Sequence, residues 1–229
     1  MTIMVEFNDK VIVVTGGAGD LGRAVAARFH GAGATVAILD LKEVAGPYWS
    51  TAVDLIDPKA VNAAVGTLTK ELGRVDVLAA IAGGFAMGDG VVRTSDDTYD
   101  FMMNVNARTA LNAIRAIAPS MIERKSGKIV TIGARPGLQG VGAMGAYGAS
   151  KSVVMRLTES LSEELKSDGV NVNCILPSII DTPRNRADMP DADHSRWVRP
   201  EAIADVIAFL ASPAADPIHG ALLPVYGLS

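Results

Sequence analysis

Apolar residues along the chain alternate between short continuous runs and longer stretches in which they recur every three or four positions. Runs of the first kind, rich in β-branched residues, predict strands covered on both faces; the second spacing predicts amphipathic helices. KVIVVT (10–15) predicts a first strand, and Leu21 to His30 a helix that stops at Gly31 and Gly33. TVAILD (35–40) predicts the second strand and residues 50–53 the third. The link between them contains Gly46 and Pro47 and is short for a helical crossover, so a loop or single turn is expected. A helix over 58–72 leads to the apolar strand VDVLAAIA (75–82) and the glycine-rich loop GGFAMGDG. A longer helix spans 99–124, interrupted or bent before Pro119. Strands are then predicted at 128–132, 171–176 and 221–226, with helices at 149–166 and 200–211. Strands alternating with helices predict an α/β fold, a Rossmann-like doubly wound parallel sheet in a single domain over 1–229. No internal repeat or low-complexity tract interrupts it.

Composition narrows the function classes. The chain has 229 residues, enough to bury a sizeable core, and no apolar run reaches the ~18 residues of a membrane span or a signal-peptide pattern. Cytoplasm is the expected compartment. A net charge of −4 argues against nucleic acid or a membrane surface as the main partner, leaving a small-molecule substrate and sister subunits. The lone Cys174 sits in VNVNCILP and predicts a buried, inert thiol. His30, His194 and His219 lack metal-ligand spacing, so no metal site is expected.

Two motifs carry chemistry. TGGAGDLG (15–22) lies between the first strand and first helix, and Gly17, Gly19 and Gly22 match G-x-G-x-x-G. Such glycines allow a tight turn, close approach of a pyrophosphate and close helix packing, with the anion meeting the helix N-terminus. Asp40 closes the second strand, where a carboxylate accepts hydrogen bonds from ribose hydroxyls and repels a 2′-phosphate. NAD(H) is therefore favoured over NADP(H), although Lys42 softens the preference and NADP(H) stays open. A glycine turn and a strand-end acid of any α/β protein are the plainer alternatives.

The second motif is Tyr147-Gly-Ala-Ser-Lys151. Positions i and i+4 share a helix face, so phenol and ammonium point the same way, and a nearby cation lowers a phenol's proton affinity from its usual pKa of roughly 10. A surface tyrosine beside a solvated lysine is the plainer alternative for an isolated match.

Together these motifs resemble the short-chain dehydrogenase/reductase family over essentially the whole chain. The resemblance implies Tyr147 as proton donor, Lys151 on the nicotinamide ribose, and Asn106 in MNVNA as the proton-relay asparagine. It implies Gly16, Gly17, Gly19, Asp20, Leu21 and Gly22 around the diphosphate, with Asp40 on the ribose. Asp54 and Leu55 would border the adenine, Ala82 and Gly83 the adenine-side ribose, and Pro177, Ile180 and Thr182 the nicotinamide. It implies a homodimer or homotetramer, and a lid at about 181–199 offering Arg184, Arg186, His194, Arg196 and Trp197 to substrate, with Phe85 a further candidate contact.

Three departures stand out. Asp20 replaces a glycine of the usual TGxxxGxG; AIAG (80–83) replaces NNAG and its sheet-steadying hydrogen bonds; Ala134 stands where the family places its catalytic serine. The alanine, the AGG loop at 82–84, the short second crossover and the DTP-NR-MP-AD-W skeleton of 179–197 resemble the dihydropteridine reductase branch. There, reduction of a conjugated ring dispenses with a serine aimed at a developing alkoxide. The segments around Ile203 and IHGALLPVYG instead resemble 3-oxoacyl-carrier-protein reductases. The expected activity is hydride transfer to a small conjugated ring or carbonyl, the alternatives being a 3-oxoacyl-carrier-protein-reductase-like enzyme and a dinucleotide sensor with weakened catalysis.

Overall fold

The structure is a computed structural model and describes residues 6–229. Strand β1 (Val11–Thr15) is buried along its whole length, as a continuous VIVVT run requires. Helix α1 (Asp20–His30) follows after only four residues and turns its apolar face inward through Val25, Ala26 and Phe29. Strand β2 (Thr35–Asp40) is joined to β3 (Trp49–Ala52) by a link without a helix, as expected. Helix α2 (Pro58–Leu72) starts where the Asp57 side chain accepts a hydrogen bond from the Lys59 N–H and Pro58 opens the first turn; Gly73, at φ 82°, ends it. Then come β4 (Val77–Ala80), α3 (Asp96–Met102), a π-helical turn over Met103–Arg108 and α4 (Thr109–Arg124). The chain continues through β5 (Gly127–Ile132), α5 (Gly145–Leu165), β6 (Val170–Pro177), α6 (Pro183–Asp188), α7 (Pro200–Leu210) and β7 (Leu222–Val225).

The seven strands form one sheet in the order β3-β2-β1-β4-β5-β6-β7, all parallel. Side chains alternate across it. Ile12, Val14 and Ile38 pack on one face with Phe29, Ile203 and Ile207, whereas Val13, Leu39 and Leu78 pack on the other with Val61, Leu68 and Ile117. The winding direction reverses between β1 and β4, so the segments leaving those two strands diverge and open a crevice at their carboxyl ends. Among the described residues no helix is long and apolar enough to cross a membrane.

Three local expectations need correction. The long helix does not break near Pro119, which lies within α4; it departs from α geometry at Met103–Arg108 instead. A π turn inserts one residue, and here it lets Asn106 bond both to the loop after β4 and to α5, contacts that hydrophobic spacing does not encode. The fourth strand is shorter than the apolar run at both ends: before it the Asp76 carboxylate accepts the Val11 N–H, and after it the Ile81 and Ala82 N–H groups leave the ladder for the Thr15 side chain. Lastly, the absence of the two asparagines does not leave the end of β4 unsupported. The Thr15 hydroxyl, on β1, accepts from both Ile81 N–H (3.0 Å) and Ala82 N–H (3.1 Å). Cys174 is buried as expected, and burial pushes its thiol up, away from the reactive thiolate.

Candidate active site

A cleft of about 410 Å³ lies at the carboxyl ends of the central strands, and most of the residues singled out from the sequence line it. Gly16, Gly19, Asp20, Leu21 and Gly22 come from the turn into α1, and Asp40 from the end of β2. Ala82, Gly83 and Phe85 follow β4, Ala134 follows β5, and Tyr147 and Lys151 project from α5. Pro177, Ile180, Thr182 and Arg184 close the far side. Gly17, Asp54, Leu55, Asn106 and Trp197 stand outside this lining. Leu55 is buried in the core on the α2 face, and Asp54 Oδ1 is taken up by the Ile56 N–H.

The glycines of the turn divide into two kinds. At Gly16 (φ 72°) a Cβ would sit 2.8 Å from the Ala82 Cα; at Gly17, 2.4 Å from the Ile38 side chain; at Gly22, 2.1 Å from the Gly16 carbonyl oxygen. Packing of the chain on itself therefore requires all three. Gly19 differs: its Cβ would meet only the Gly16 oxygen, at 3.6 Å. It is also the N-cap of α1 and offers no side chain to the first-turn N–H groups. Open backbone at an uncapped helix N-terminus is a cradle for an anion, so the site fits a dinucleotide diphosphate. Asp40 Oδ2 accepts from the Ala18 N–H at 2.9 Å, which ties β2 to the turn and leaves the other carboxylate oxygen for a ligand. Asp20, exposed in the first helical turn, is favoured there by the helix dipole but competes with any phosphate for the same field.

Opposite the turn, Tyr147 and Lys151 share a face of α5. Lys151 is 5% exposed, its Nζ donates to the Ile132 carbonyl at 3.0 Å, and it lies 6.0 Å from the centre of the Tyr147 ring. Burial pulls the ammonium down from its ordinary 10.5 to about 8. The Tyr147 phenol is pushed up to about 12, again by burial. The expected lowering of the tyrosine is not seen here: burial alone sets the direction, upward. Tyr147 is therefore a protonated phenol at neutral pH.

Lys151 has a consequence for stability. Its folded pKa lies below the unfolded one, so between about pH 8 and 10.5 the unfolded chain binds more protons and stability rises with pH; below about pH 8 the full cost of burying the charge is present. Lys151→Met is expected to stabilise the protein at pH 7 by about 2 kcal/mol. That advantage should disappear by pH 10.5, as read by denaturant melts across the window. A variant less stable than the parent at pH 7 would contradict this.

Asn106 is 1% exposed, and its amide is fully engaged. Oδ1 accepts from the Gly84 N–H (3.1 Å), while Nδ2 donates to the Gly84 carbonyl (3.0 Å) and to Ser150 Oγ (3.1 Å). Ser150 Oγ in turn donates to the Tyr147 carbonyl at 2.7 Å. The side chain ties the loop after β4 to the helix carrying Tyr147, and its Oδ1 lies beside Gly83 of the cleft wall, where a Cβ would come within 2.7 Å of it. Ser150, which sequence reasoning passed over, was marked only by its place inside the YGASK motif.

Ala134 is 4% exposed and places a methyl group on the cleft wall. In the 181–199 segment the expected contacts are mostly committed to one another. Arg186 forks onto the Asp181 carboxylate, and Arg196 Nε donates to the Leu228 carbonyl at 3.0 Å. Trp197 is 7% exposed and packs on the His194 ring at 4.4 Å, while a His194 nitrogen lies 2.9 Å from the Met189 carbonyl. Only Arg184 of that group lines the cleft, beside Asn185 and Asp188, which the sequence did not single out.

The model of a protein family, the short chain dehydrogenases, matches residues 10–193. The chain belongs to the short-chain dehydrogenase family. This short-chain dehydrogenase is an oxidoreductase. It is 32% identical to a cyclohexanol dehydrogenase of Rhodococcus sp. (strain TK6), over 99% of this chain and 98% of the relative. It is 29% identical to the 3-oxoacyl-[acyl-carrier-protein] reductase FabG of Thermotoga maritima, over 95% and 96% of the two chains. Among solved structures, levodione reductase superposes with a TM-score of 0.89 at 25% identity, covering 97% of this chain and 98% of that one. NAD+-bound xylitol dehydrogenase superposes with a TM-score of 0.88 at 25% identity, covering 96% and 99%.

Proposed function

We propose that this short-chain dehydrogenase uses NAD(H) to transfer hydride to or from a small carbonyl or conjugated-ring substrate, with Tyr147 as proton donor. One observation carries the reading: the uncapped α1 N-terminus, Asp40 and the Tyr147/Lys151 pair line a single cleft at the switch point of the sheet. The names of the dehydrogenase and reductase relatives support it, as does the NAD+ bound by the xylitol dehydrogenase.

The nicotinamide, when bound, supplies or accepts the hydride. Everything else falls to this chain. Gly19 and the first-turn N–H groups of α1 hold the diphosphate, Asp40 accepts from the ribose hydroxyls, and Ala82 and Gly83 flank that ribose. Pro177, Ile180 and Thr182 hold the nicotinamide end, and Lys151 the ribose beside it. Tyr147 delivers its proton to the substrate atom where negative charge builds. Asn106 acts as a positioning residue through Gly84 and Ser150.

With a methyl group at Ala134, no hydroxyl at that position stabilises a developing alkoxide, which favours the dihydropteridine-reductase-like variant of the reading, in which the acceptor is a conjugated ring. The cyclohexanol dehydrogenase and FabG relatives favour the carbonyl variant. Oxidation of NADH and NADPH by the purified protein, with a simple ketone and quinonoid dihydrobiopterin offered in parallel, tests both the cofactor and the acceptor. The expected kcat/KM for NADH exceeds that for NADPH by at least about tenfold, and Asp40→Asn brings the two within about threefold, since the discrimination is one carboxylate against one phosphate. Equal use of both dinucleotides by the parent protein would overturn the NAD(H) assignment.

A further inference from the structure

The turn into α1 carries an acid, Asp20, where the diphosphate is assigned, and the cleft must offset it. The charged side chains of the cleft wall are Asp20, Asp40 and Asp188 against Lys151 and Arg184, an excess of one negative charge. A diphosphate adds further negative charge, so its entry is favourable only where a cation stands beside it. Lys151 is on the opposite wall, buried, with its Nζ given to the Ile132 carbonyl. Arg23 Nε donates to the Ala18 carbonyl at 2.9 Å, and Arg186 forks onto Asp181. Arg23 and Arg199 line a neighbouring hollow that shares Asp20 with the cleft, but they do not line the cleft.

Arg184 differs from these. It lines the cleft, is 82% exposed, and meets Asp188, itself 64% exposed, only at 3.7 Å, beyond hydrogen-bonding distance. An exposed i,i+4 pair of this kind is weak, so the arginine can exchange Asp188 for a stronger anion. Asp20 shares the cleft with Arg184 and the neighbouring hollow with Pro183, so the starts of α1 and α6 stand across from each other. The backbone under Arg184 is pinned: the Asn185 N–H donates to Thr182 Oγ1 at 3.2 Å, and Asn185 Nδ2 to the Ile180 carbonyl at 2.8 Å. A change of partner therefore needs only the arginine side chain to turn.

We propose that Arg184 is a ligand of the dinucleotide diphosphate: on binding, its guanidinium leaves Asp188 for the phosphate oxygens and offsets the charge of Asp20. This rests on the placement of the diphosphate at the α1 N-terminus. A guanidinium offers planar paired donors that match phosphate oxygens, so the contact serves the diphosphate whichever acceptor is reduced. It also takes Arg184 out of the set of substrate contacts expected from the sequence.

The test is the Kd of the intact protein for ADP-ribose, which carries the diphosphate but undergoes no turnover, measured by calorimetry at low and high ionic strength. Arg184→Gln is expected to raise that Kd about tenfold at low salt, and the loss should shrink to about threefold at ~0.5 M salt, where the ionic part is screened. Arg184→Lys, which keeps the charge, should stay within about threefold of the parent, and Asp20→Asn should tighten binding by about threefold. An ADP-ribose Kd within about twofold of the parent in Arg184→Gln would overturn the proposal. So would a loss of the same size at both ionic strengths, or a change confined to the KM of the acceptor. Unchanged affinity in Gly19→Ala, or a parent protein that does not bind ADP-ribose, would instead refute the placement of the diphosphate, so the two failures are distinguishable.

Discussion

Replacing Tyr147 with Phe is expected to lower turnover by about a thousandfold while leaving the fold and dinucleotide affinity intact. Only the hydroxyl is removed. The ring that packs edge-on against Phe85 at 4.9 Å remains, and among the described residues the Tyr147 hydroxyl has no hydrogen-bonding partner in the protein whose loss would cost stability. The size of the effect follows from the chemistry: a positioned general acid contributes roughly 10²–10⁴, and no nearby group replaces it, because Ala134 carries a methyl group and Ser150 is committed to the Tyr147 carbonyl. The Tm should shift by less than about 2 °C and the Kd for NADH by less than about twofold, since the missing group contacts neither the core nor the diphosphate end. A variant retaining a tenth of the parent turnover would refute Tyr147 as the donor.

Two glycines of one turn should respond in opposite ways to the same added methyl. In Gly22→Ala the new Cβ would lie 2.1 Å from the Gly16 oxygen and 2.7 Å from the Gly17 Cα, both backbone atoms that cannot rotate away. The turn must open, at a cost of about 3 kcal/mol or more, which for a chain of this size lowers Tm by roughly 10 °C. NADH binding is lost with the turn. In Gly19→Ala the methyl meets nothing closer than 3.6 Å, and the backbone is at φ −77°, a conformation alanine adopts freely. Stability should therefore hold or rise slightly, through a less mobile unfolded chain. The same methyl stands where the diphosphate must approach, and the Kd for NADH should rise at least about tenfold. Thermal melts with and without NADH read both effects. Wild-type NADH affinity in Gly19→Ala would show that the cradle lies elsewhere.

The legible and illegible parts of this structure separate by physical cause. Each predicted strand and helix exists, because burial of a parallel sheet on both faces writes continuous apolar runs into β1, β2 and β4, and Pro58 with Gly73 brackets α2 by local backbone rules. The turn at 15–22 was legible for the same reason, since three of its glycines are steric necessities. The π turn at Met103–Arg108 was not, because it is defined by where Asn106 must bond across the fold. The 181–199 segment misled in another way: Arg186, Arg196, His194 and Trp197 have the side chains of ligand contacts but satisfy one another or the tail of the chain. The spacing of Tyr147 and Lys151 placed them on one face of α5, whereas the direction of the tyrosine's pKa depended on burial that spacing alone does not report.

The most direct measurement follows a label. NADH carrying two deuterium atoms at nicotinamide C4 is incubated with cyclohexanone and the purified protein, and the cyclohexanol is analysed by mass spectrometry alongside a Tyr147→Phe control. The account predicts product with one deuterium on the carbinol carbon, formed by the parent protein and essentially absent with the variant. Unlabelled alcohol, or labelled alcohol formed equally well without the Tyr147 hydroxyl, would contradict it.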